Sequence, residues 1–269
     1  MKTVFITGAS SGIGKETVKL FQLKGWNVIA TMRNPEAETE LNKLKNVLLL
    51  HCDVTDRESI KNAISAGIKA FSSIDVLINN AGYYIIGPFE AATTEQIRRQ
   101  IDTNLVGLID VTKEIIPHFR KQRSGVIVNL SSIAGNITIP LQTLYHATKW
   151  GVDGFSESLQ YELRQFNIRI KIIQPGVIKT DFYGRSMTIT DDDSLKEYDP
   201  YRQKVIKNLM KNGQNGSSPE AAALTIYKAA TDNKSKLRYP TGNSKGMVKI
   251  RKILPVSLFR KIIQSAIEK

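Results

Sequence analysis

Cysteine, histidine and long apolar runs are all scarce in this sequence of 269 residues. The single cysteine, Cys52, excludes a disulfide within the chain and a CxxC metal site. The three histidines, His51, His118 and His146, are scattered, so we expect no metal. No apolar stretch reaches the roughly eighteen residues of a membrane-spanning helix, and the apolar run at the N terminus is too short for a signal peptide. These absences predict a protein of the cytoplasm.

Acidic residues are also few. The chain has 25 of them against 38 lysines and arginines, which gives a formal net charge of +13. Such an excess favours phosphates, nucleic acid or anionic lipid as partners, or it serves solubility alone. Because no zinc-finger, RNP-type or helix-turn-helix signature is present, we expect no nucleic-acid partner.

Short β-branched runs alternate along the chain with longer stretches of helical spacing. Several of the short runs are apolar almost throughout, which is typical of strands covered by helices on both faces. The alternation predicts an α/β protein with a doubly wound parallel sheet of about seven strands. The predicted strands are Thr3–Ile6, Asn27–Thr31, Val47–Leu50, Val76–Ile78, Gly125–Leu130, Arg169–Ile173 and Leu237–Tyr239. The predicted helices are Lys15–Leu23, Arg57–Phe71, Thr94–Phe119 and Tyr145–Phe166.

Three glycines follow the first predicted strand and open the first helix, in the sequence TGASSGIG over residues 7–14. Gly8 permits a tight turn, Gly12 lets the backbone approach a phosphate, and Gly14 lets the helix pack closely on the strand. The free N–H groups of the helix N terminus suit an anion. The spacing differs from the common GxGxxG pattern, but its position predicts a dinucleotide site. An ordinary tight turn is the alternative.

The end of the second predicted strand bears on which dinucleotide binds. An NAD site usually carries an acid there to bind the ribose 2′-hydroxyl, whereas this chain has Arg33 and no acid before Glu36. A guanidinium suits a 2′-phosphate, so we expect NADP(H) rather than NAD(H), with a solvated surface arginine as the alternative. Asp53 follows the third strand and could accept a hydrogen bond from the adenine amino group or cap the next helix, although Asp56 is the better-placed cap.

Four segments taken together resemble the short-chain dehydrogenase/reductase family. They are the glycine turn, Asn79-Asn80-Ala81-Gly82, Tyr145-x3-Lys149 and Pro175-Gly176, in the family's order and at its spacing. The resemblance covers about residues 3 to 183 closely and the remainder loosely. It implies a single-domain Rossmann-type fold, and the family often forms homodimers or homotetramers.

The resemblance also implies a catalytic tetrad at Asn104, Ser132, Tyr145 and Lys149. Ser132 is preferred over Ser131 because it precedes Tyr145 by 13 residues, the family's usual separation. In the family, the position matched by Asn104 holds a water that links the lysine to solvent. Every member of the tetrad is present, so the resemblance implies an active enzyme.

The residue types of this tetrad suit carbonyl chemistry independently. A carbonyl that accepts a hydride becomes an alkoxide and needs a proton. A phenol ordinarily has a pKa near 10, and a nearby cation favours the phenolate. Tyr145 and Lys149 are four residues apart, which places them on one face of a helix. Ser132, at the end of a strand, can donate a hydrogen bond to the carbonyl oxygen.

Further cofactor contacts follow from the resemblance. The NNAG segment resembles one that lines the cofactor, and the loop after Pro175 resembles one that meets the nicotinamide. The expected cofactor-binding residues are Gly8, Ser10, Ser11, Gly12, Ile13, Gly14, Arg33, Asp53, Val54, Asn80, Ala81, Gly82, Tyr145, Lys149, Pro175, Gly176, Ile178 and Thr180.

Residues 1–269 are expected to form one domain, with residues 1–176 as the core that binds the cofactor and carries the tetrad. Residues 177–215 are polar and indicate a substrate loop or lid. Substrate selection is expected around three segments rich in apolar and aromatic side chains, which favours a lipophilic carbonyl or alcohol. Their members include Tyr83, Tyr84, Phe89, Ile137, Ile139, Leu141, Phe182, Tyr183 and Met187.

The C-terminal segment 245–269 mixes apolar residues with seven basic residues and one acid. A basic amphipathic segment can lie on an anionic membrane surface, close over a substrate pocket or pack on a partner subunit. The segment, together with residues 28–33, resembles the family branch of steroid and retinol dehydrogenases and acyl-dihydroxyacetone-phosphate reductases. That resemblance implies a hydrophobic ketone, aldehyde or secondary alcohol as substrate.

The sequence therefore predicts an NADP(H)-dependent oxidoreductase that interconverts a hydrophobic carbonyl compound and its alcohol. A non-catalytic NADP(H)-sensing protein on the same fold is the alternative, and the complete tetrad argues against it.

Overall fold

A computed structural model of the chain describes residues 1–180, 186–214, 216–242 and 244–268. These residues contain a central sheet of seven parallel strands in the order β3-β2-β1-β4-β6-β7-β9. Its strands are β1 (Thr3–Ile6), β2 (Asn27–Met32), β3 (Val47–His51), β4 (Val76–Asn79), β6 (Gly125–Leu130), β7 (Ile168–Pro175) and β9 (Arg238–Thr241). A separate pair of parallel strands joins β5 (Tyr84–Ile86) to β8 (Met187–Ile189).

Helices cover the sheet and extend beyond it. Those of the described ranges are α1 (Gly12–Leu23), α2 (Arg57–Phe71), α3 (Thr94–Ile101), α4 (Gly107–Gln122), α5 (Thr143–Leu163), α6 (Asp199–Gln214), α7 (Pro219–Thr231), α8 (Ser244–Ile253) and α9 (Val256–Ile267). In the part of the chain that is described, none of them combines the length and the apolar character needed to cross a membrane.

Two apolar layers form because the central strands are buried on both faces. On one face, Val18 and Phe21 of α1 and Ile226 of α7 pack against alternate strand residues. On the other, side chains of α2, α4 and α5 pack against the intervening strand residues, among them Phe119 and Leu159. This doubly wound arrangement confirms the α/β Rossmann-type prediction, and each of the seven predicted strands occurs within two residues of its expected bounds.

Two expectations about local structure were wrong. The single helix expected over Thr94–Phe119 is interrupted between α3 and α4 by a π-helical segment, Asp102–Val106. The wider turn there accommodates an extra residue and holds the buried side chain of Asn104. The polar stretch over residues 177–215, expected as a long loop, contains β8 and α6, since apolar side chains at helical spacing on α6 pack against other elements.

Strand order reverses between β1 and β4, where successive connections pass to opposite faces of the sheet. A crevice forms outside the carboxyl ends of parallel strands at such a switch point. The glycine turn after β1, the NNAG segment after β4 and the serines after β6 all meet there.

A buried chain of hydrogen bonds stiffens the sheet below this crevice. The Asn79 amide donates to Thr112 Oγ1 and to Asn129 Oδ1, both at 2.9 Å. The Asn129 amide donates to Ser156 Oγ at 2.8 Å, and Ser156 donates to the Val152 carbonyl. These hydrogen bonds therefore tie β4 and β6 to α4 and α5, and α5 is the helix that carries Tyr145.

Replacing Asn129 with leucine keeps the side-chain size but removes two of these buried hydrogen bonds, so the Asn79 amide keeps only Thr112 and Ser156 keeps only the Val152 carbonyl. A lost hydrogen bond costs about 0.5–1.5 kcal/mol, so we expect Asn129→Leu to lower the free energy of unfolding by about 1–3 kcal/mol. Urea denaturation measures it. The matched control Asn42→Leu, on an exposed residue, should stay within about 0.5 kcal/mol of the unsubstituted chain. An equally small effect of Asn129→Leu would contradict a stabilising role for these buried hydrogen bonds.

Candidate active site

One continuous cavity of about 960 Å³ runs along the carboxyl edge of the sheet. It begins at the glycine turn, passes the residues of the predicted tetrad and ends among apolar side chains of α6, α8 and α9. The structure brings together every predicted tetrad residue and all but one of the predicted cofactor-binding residues in its wall; the exception is Gly14.

The glycine turn has the backbone geometry that the sequence predicts. Gly8 and Gly12 have positive φ angles, +64° and +53°, which other residues rarely adopt. Gly14 lies just behind the turn, where a Cβ atom would be 2.3 Å from the Gly8 carbonyl oxygen. The loop after β7 closes over the turn, since a Cβ on Gly12 would meet the Thr180 methyl group at 3.3 Å. Only glycines allow this tight approach.

Arg33 and Asp53 line the cavity beyond the turn. Asp53 Oδ1 accepts hydrogen bonds from the backbone and hydroxyl of Thr55. Burial alone would raise the pKa of Asp53, but these bonds and the charge of Arg33 lower it below its ordinary value. Asp56 caps α2 by accepting from the Glu58 N–H, which confirms the preferred cap.

Sequence reasoning missed an acid in this part of the wall. Glu38 is buried and lines the cavity near Arg33. Its carboxylate is already bonded to the Lys15 ammonium at 3.1 Å and accepts from the backbone N–H of Leu41. Although burial would raise the pKa of Glu38, these bonds hold it below its ordinary value. The carboxylate is therefore ionised and neutralised locally.

Tyr145 and Lys149 lie on the first turns of α5 and are both buried. The Lys149 ammonium is 5.6 Å from the centre of the Tyr145 ring and donates a 2.7 Å hydrogen bond to the Leu130 carbonyl at the end of β6. The Tyr84 ring packs edge-on against Tyr145 at 5.1 Å between centroids. Burial lowers the pKa of Lys149 to about 8, against the opposing attraction of Asp153.

Asp153, one helical turn after Lys149, was not singled out from the sequence. Its Oδ2 accepts from the Gln174 amide at 2.8 Å and from Arg238 Nε at 3.3 Å. Burial raises the pKa of Asp153, and the charge of Arg238 and the amide of Gln174 oppose that rise. Strands β7 and β9 thus hold a carboxylate behind the lysine.

The other two tetrad positions are bonded to nearby backbone. The carboxamide of Asn104 accepts from the Tyr83 N–H at 2.9 Å and donates to the Tyr83 carbonyl at 2.8 Å, so it fixes the segment after Gly82. Ser132 Oγ accepts from the Ala134 N–H at 3.1 Å. Ser131 also lines the cavity, and its hydroxyl donates to the Lys149 carbonyl at 3.4 Å.

His146 organises the loop between β6 and α5. Its Nε2 accepts from the Ile139 N–H at 2.8 Å, and its Nδ1 is 2.9 Å from the Ala134 carbonyl. Both bonds require a neutral ring with the proton on Nδ1. Burial lowers the pKa of His146, which favours that form. Within the described residues no group of three or more histidine, cysteine and acidic side chains is arranged to hold a metal ion.

Helices α6, α8 and α9, which we call the lid, form the apolar end of the cavity. Phe259 and Ile263 of α9 are buried against Val205 of α6 and Ile137 of the preceding loop. The lid residues that line the cavity are Ile206, Leu209, Met210, Met247, Ile263, Ala266 and Ile267. The C-terminal segment therefore closes over the cavity, which was one of its three expected roles.

The expected substrate-selecting residues divide into three groups. Tyr83, Tyr84, Ile137, Ile139 and Met187 line the cavity. Phe89 is mostly exposed and Leu141 packs beside the wall, so neither lines it as expected. Phe182 and Tyr183 lie outside the described residues. The hydroxyl of Tyr83 is buried without a hydrogen-bond partner in the described part of the chain.

The residues present fit a nicotinamide dinucleotide. The glycine turn exposes the N terminus of α1, a helix of 12 residues, to an anion. Gly8 and Gly12 leave backbone uncovered at the place where a phosphate would approach, and Arg33 supplies a cation further along the wall. The NNAG segment supports this turn, since the Asn80 amide donates to the carbonyls of Thr7 and Gly8.

Comparison with known proteins identifies relatives along nearly the whole chain. The oxidoreductase YusZ of Bacillus subtilis, itself uncharacterised, is 36% identical over 98% of this chain and 97% of its own length. The 3-ketodihydrosphingosine reductase of Bacteroides thetaiotaomicron is 34% identical, with 89% and 87% covered. Bovine retinol dehydrogenase 8 is 32% identical, with 89% and 81% covered.

Solved structures agree with these relatives. A short-chain dehydrogenase from Streptomyces avermitilis superposes with a TM-score of 0.84 at 27% identity and covers 98% of this chain and 95% of its own. ElxO with bound NADP superposes with a TM-score of 0.73 at 28% identity, with 89% and 97% covered. The family model described as short chain dehydrogenase matches residues 2–188. The chain is an oxidoreductase that binds a nicotinamide cofactor, and it belongs to the short-chain dehydrogenase/reductase family.

Proposed function

We propose that the chain is an NADP(H)-dependent oxidoreductase that interconverts a lipophilic ketone or aldehyde and its alcohol. The observation that carries this proposal is the single cavity that joins the glycine turn, Tyr145 with Lys149, and the apolar lid. The relatives named for a ketodihydrosphingosine and a retinol support the same substrate class. An apolar wall with few polar groups suits a substrate with one reactive oxygen and a long hydrocarbon part.

In this proposal Ser132 and Tyr145 bind the substrate oxygen between them. The bound cofactor supplies or accepts the hydride. During reduction Tyr145 donates its hydroxyl proton to the oxygen, which becomes negative as the hydride arrives. The Lys149 ammonium then stabilises the phenolate that is left. The bond from Lys149 to the Leu130 carbonyl fixes the position of this charge, and the helix-turn spacing keeps it beside Tyr145.

The NADP(H) preference rests on Arg33. Arg33 lines the cavity, and the nearby acid Glu38 is already paired with Lys15. A guanidinium binds a 2′-phosphate, and Glu36, the first acid after β2, does not line the cavity. Asn104, in this proposal, also holds the water that links Lys149 to solvent.

We further propose that the chain forms a homodimer or homotetramer with α5 in the contact. Trp150 and Tyr161 lie three helical turns apart on α5 and expose 47% and 71% of their surfaces. Large aromatic side chains on one helix face favour a protein–protein contact.

Replacing Tyr145 with phenylalanine removes the proton donor and keeps the ring. We expect kcat for NADPH-dependent reduction of a hydrophobic ketone to fall by about 10²–10⁴, while NADPH affinity changes little. Absorbance assays over a panel of ketones measure turnover, and calorimetry measures NADPH binding. The control Tyr161→Phe removes a hydroxyl from the same helix outside the cavity and keeps the ring that the proposed subunit contact uses, so it should keep full activity. Full activity of Tyr145→Phe would refute the proposed proton donor.

Replacing Asp153 with asparagine tests the charge behind Lys149. Lys149 acts as a cation, so activity is lost as the pH rises through its pKa. The carboxylate raises that pKa; without it, the alkaline limb of the kcat/KM profile should move to lower pH by about one unit. The control Glu157→Gln removes the other carboxylate bound to Arg238 and should leave the limb in place. An unmoved limb in Asp153→Asn would show that Asp153 has only a structural role.

Replacing Arg33 with aspartate reverses the charge offered to the 2′ position. We expect the ratio of kcat/KM with NADPH to kcat/KM with NADH to fall at least tenfold, since losing a charge-assisted hydrogen bond and adding repulsion costs about 1.5–3 kcal/mol. Steady-state kinetics with both cofactors measure the ratio. Arg164→Asp, an exposed arginine at the end of α5, is the matched control. An unchanged ratio in Arg33→Asp would reject the assignment of Arg33.

A further inference from the structure

The lid has an inner and an outer face. On the inner face of α9, Phe259, Ile263 and Ile267 are buried at the apolar end of the cavity. On the outer face, Leu258 and Ile262 lie one turn apart and expose 47% and 40% of their surfaces. An amphipathic helix that only closed a cavity would carry polar residues on this outer face.

The exposed apolar side chains continue past α9 across its junction with α8. Ile253, the last residue of α8, is 80% exposed, and Val256, the first of α9, is 54% exposed. We call this set the apolar ridge. Its members are Ile250, Ile253, Val256, Leu258 and Ile262. Each of these side chains leaves at least 40% of its surface exposed in the described part of the chain, and a group of exposed apolar side chains of this kind can mark an interaction surface.

Exposed cations lie on the same helices as the ridge. Lys249 of α8 and Arg260 and Lys261 of α9 are exposed. Helix α6, which packs against α9, adds the exposed lysines Lys204, Lys207 and Lys211. The one acid of residues 245–268, Glu268, accepts a hydrogen bond from the Tyr201 hydroxyl. The outer face of the lid is therefore both apolar and strongly positive.

We propose that the outer face of the lid docks on the surface of an anionic lipid bilayer. Apolar side chains at a helix junction can enter the boundary between headgroups and acyl chains, while lysines and arginines beside them meet lipid phosphates. Charge selects this partner over a second copy of the chain. A two-fold contact through the ridge would bring the same cations of both copies together, whereas an anionic membrane neutralises them.

This docking gives the cavity a source of substrate, an extension that rests on the proposed function. The helices that carry the ridge also carry Met247, Ile263 and Ile267 in the cavity wall. A lipophilic ketone partitions into the bilayer, so a lid in contact with the membrane separates the cavity from its substrate by one layer of helices. Short water-soluble ketones do not need this route.

Vesicle binding of the full chain tests the docking without any turnover. Phosphatidylcholine vesicles with and without phosphatidylglycerol are sedimented with the protein. We expect binding to the anionic vesicles and little to the neutral ones. The double substitution Arg260→Glu with Lys261→Glu should weaken anionic binding at least about tenfold, and Ile253→Asp with Val256→Asp should do the same. Matched controls are Arg120→Glu with Lys121→Glu at the end of α4, and Leu224→Asp on α7, all exposed positions away from the lid.

Each outcome of these measurements either supports the docking or overturns it. Circular dichroism and turnover of a short water-soluble ketone establish that the lid variants are folded, and turnover of a long-chain ketone supplied in vesicles should fall only in them. If the unsubstituted chain stays in the supernatant with anionic vesicles, or if the lid variants bind as well as the controls, the docking is overturned. If Ile253→Asp with Val256→Asp converts a dimer to a monomer, and the unsubstituted chain does not bind vesicles, the surface is a contact with a second copy instead. Vesicle binding with no turnover of any ketone retains the docking and rejects the proposed function.

Discussion

A buried ammonium organises the centre of this molecule. Lys149 is almost fully enclosed, and taking such a charge out of water is costly unless partners replace the water. Leu130 provides a carbonyl at 2.7 Å, and Asp153 provides a carboxylate one turn away. Burial nevertheless outweighs that attraction and lowers the pKa of Lys149 to about 8. The pKa of this ammonium is thus close to neutrality, and its neighbour is Tyr145, the proposed proton donor.

The surrounding fold brings Lys149, the Leu130 carbonyl and Asp153 together. Strand β6 ends at the carbonyl that binds Lys149 and continues into Ser131 and Ser132. Behind α5, Gln174 of β7 and Arg238 of β9 fix Asp153. The buried hydrogen bonds of Asn79, Asn129 and Ser156 tie β4 and β6 to the same helix. A shift of α5 along the sheet would therefore break several bonds at once, and this makes the spacing of the tetrad rigid.

The two ends of the cavity offer two kinds of recognition. At one end, backbone N–H groups and Arg33 suit phosphates; at the other, the lid offers an apolar wall. Electrostatics act over the first part because its groups are charged and fixed. Burial of hydrocarbon acts over the second, at roughly 25 cal/mol for each Å² removed from water. The reacting carbon lies where the two parts join, beside Tyr145 in our proposal.

The strands and the glycine turn could be predicted because their signals are local. Apolar runs such as Gly125–Leu130 are short and continuous, and three closely spaced glycines follow the first of them. Asp153 could not be found in this way, since its partners Gln174 and Arg238 are 21 and 85 residues away. Glu38 was missed because pairing with Lys15 depends on how two separate segments pack.

The lid shows a different limit of sequence reasoning. Val205, Ile206, Leu209 and Met210 have helical spacing, but the acidic and polar residues around them favoured a loop. The π-helical turn at Asn104 was not predicted, since the bonds that Asn104 makes there are to Tyr83, 21 residues away. Helix α9 was expected to be amphipathic, and only the packing of Phe259 against α6 shows which face is internal.

A pH titration of the Lys149 side chain in the free enzyme tests this arrangement most directly. The ¹³Cε chemical shift of labelled lysines, assigned by comparison with Lys149→Arg, reports its protonation. Burial of the ammonium predicts a pKa of about 8 for Lys149, well below the ordinary value of 10.5. A Lys149 whose pKa lies at the ordinary value of 10.5 would contradict it.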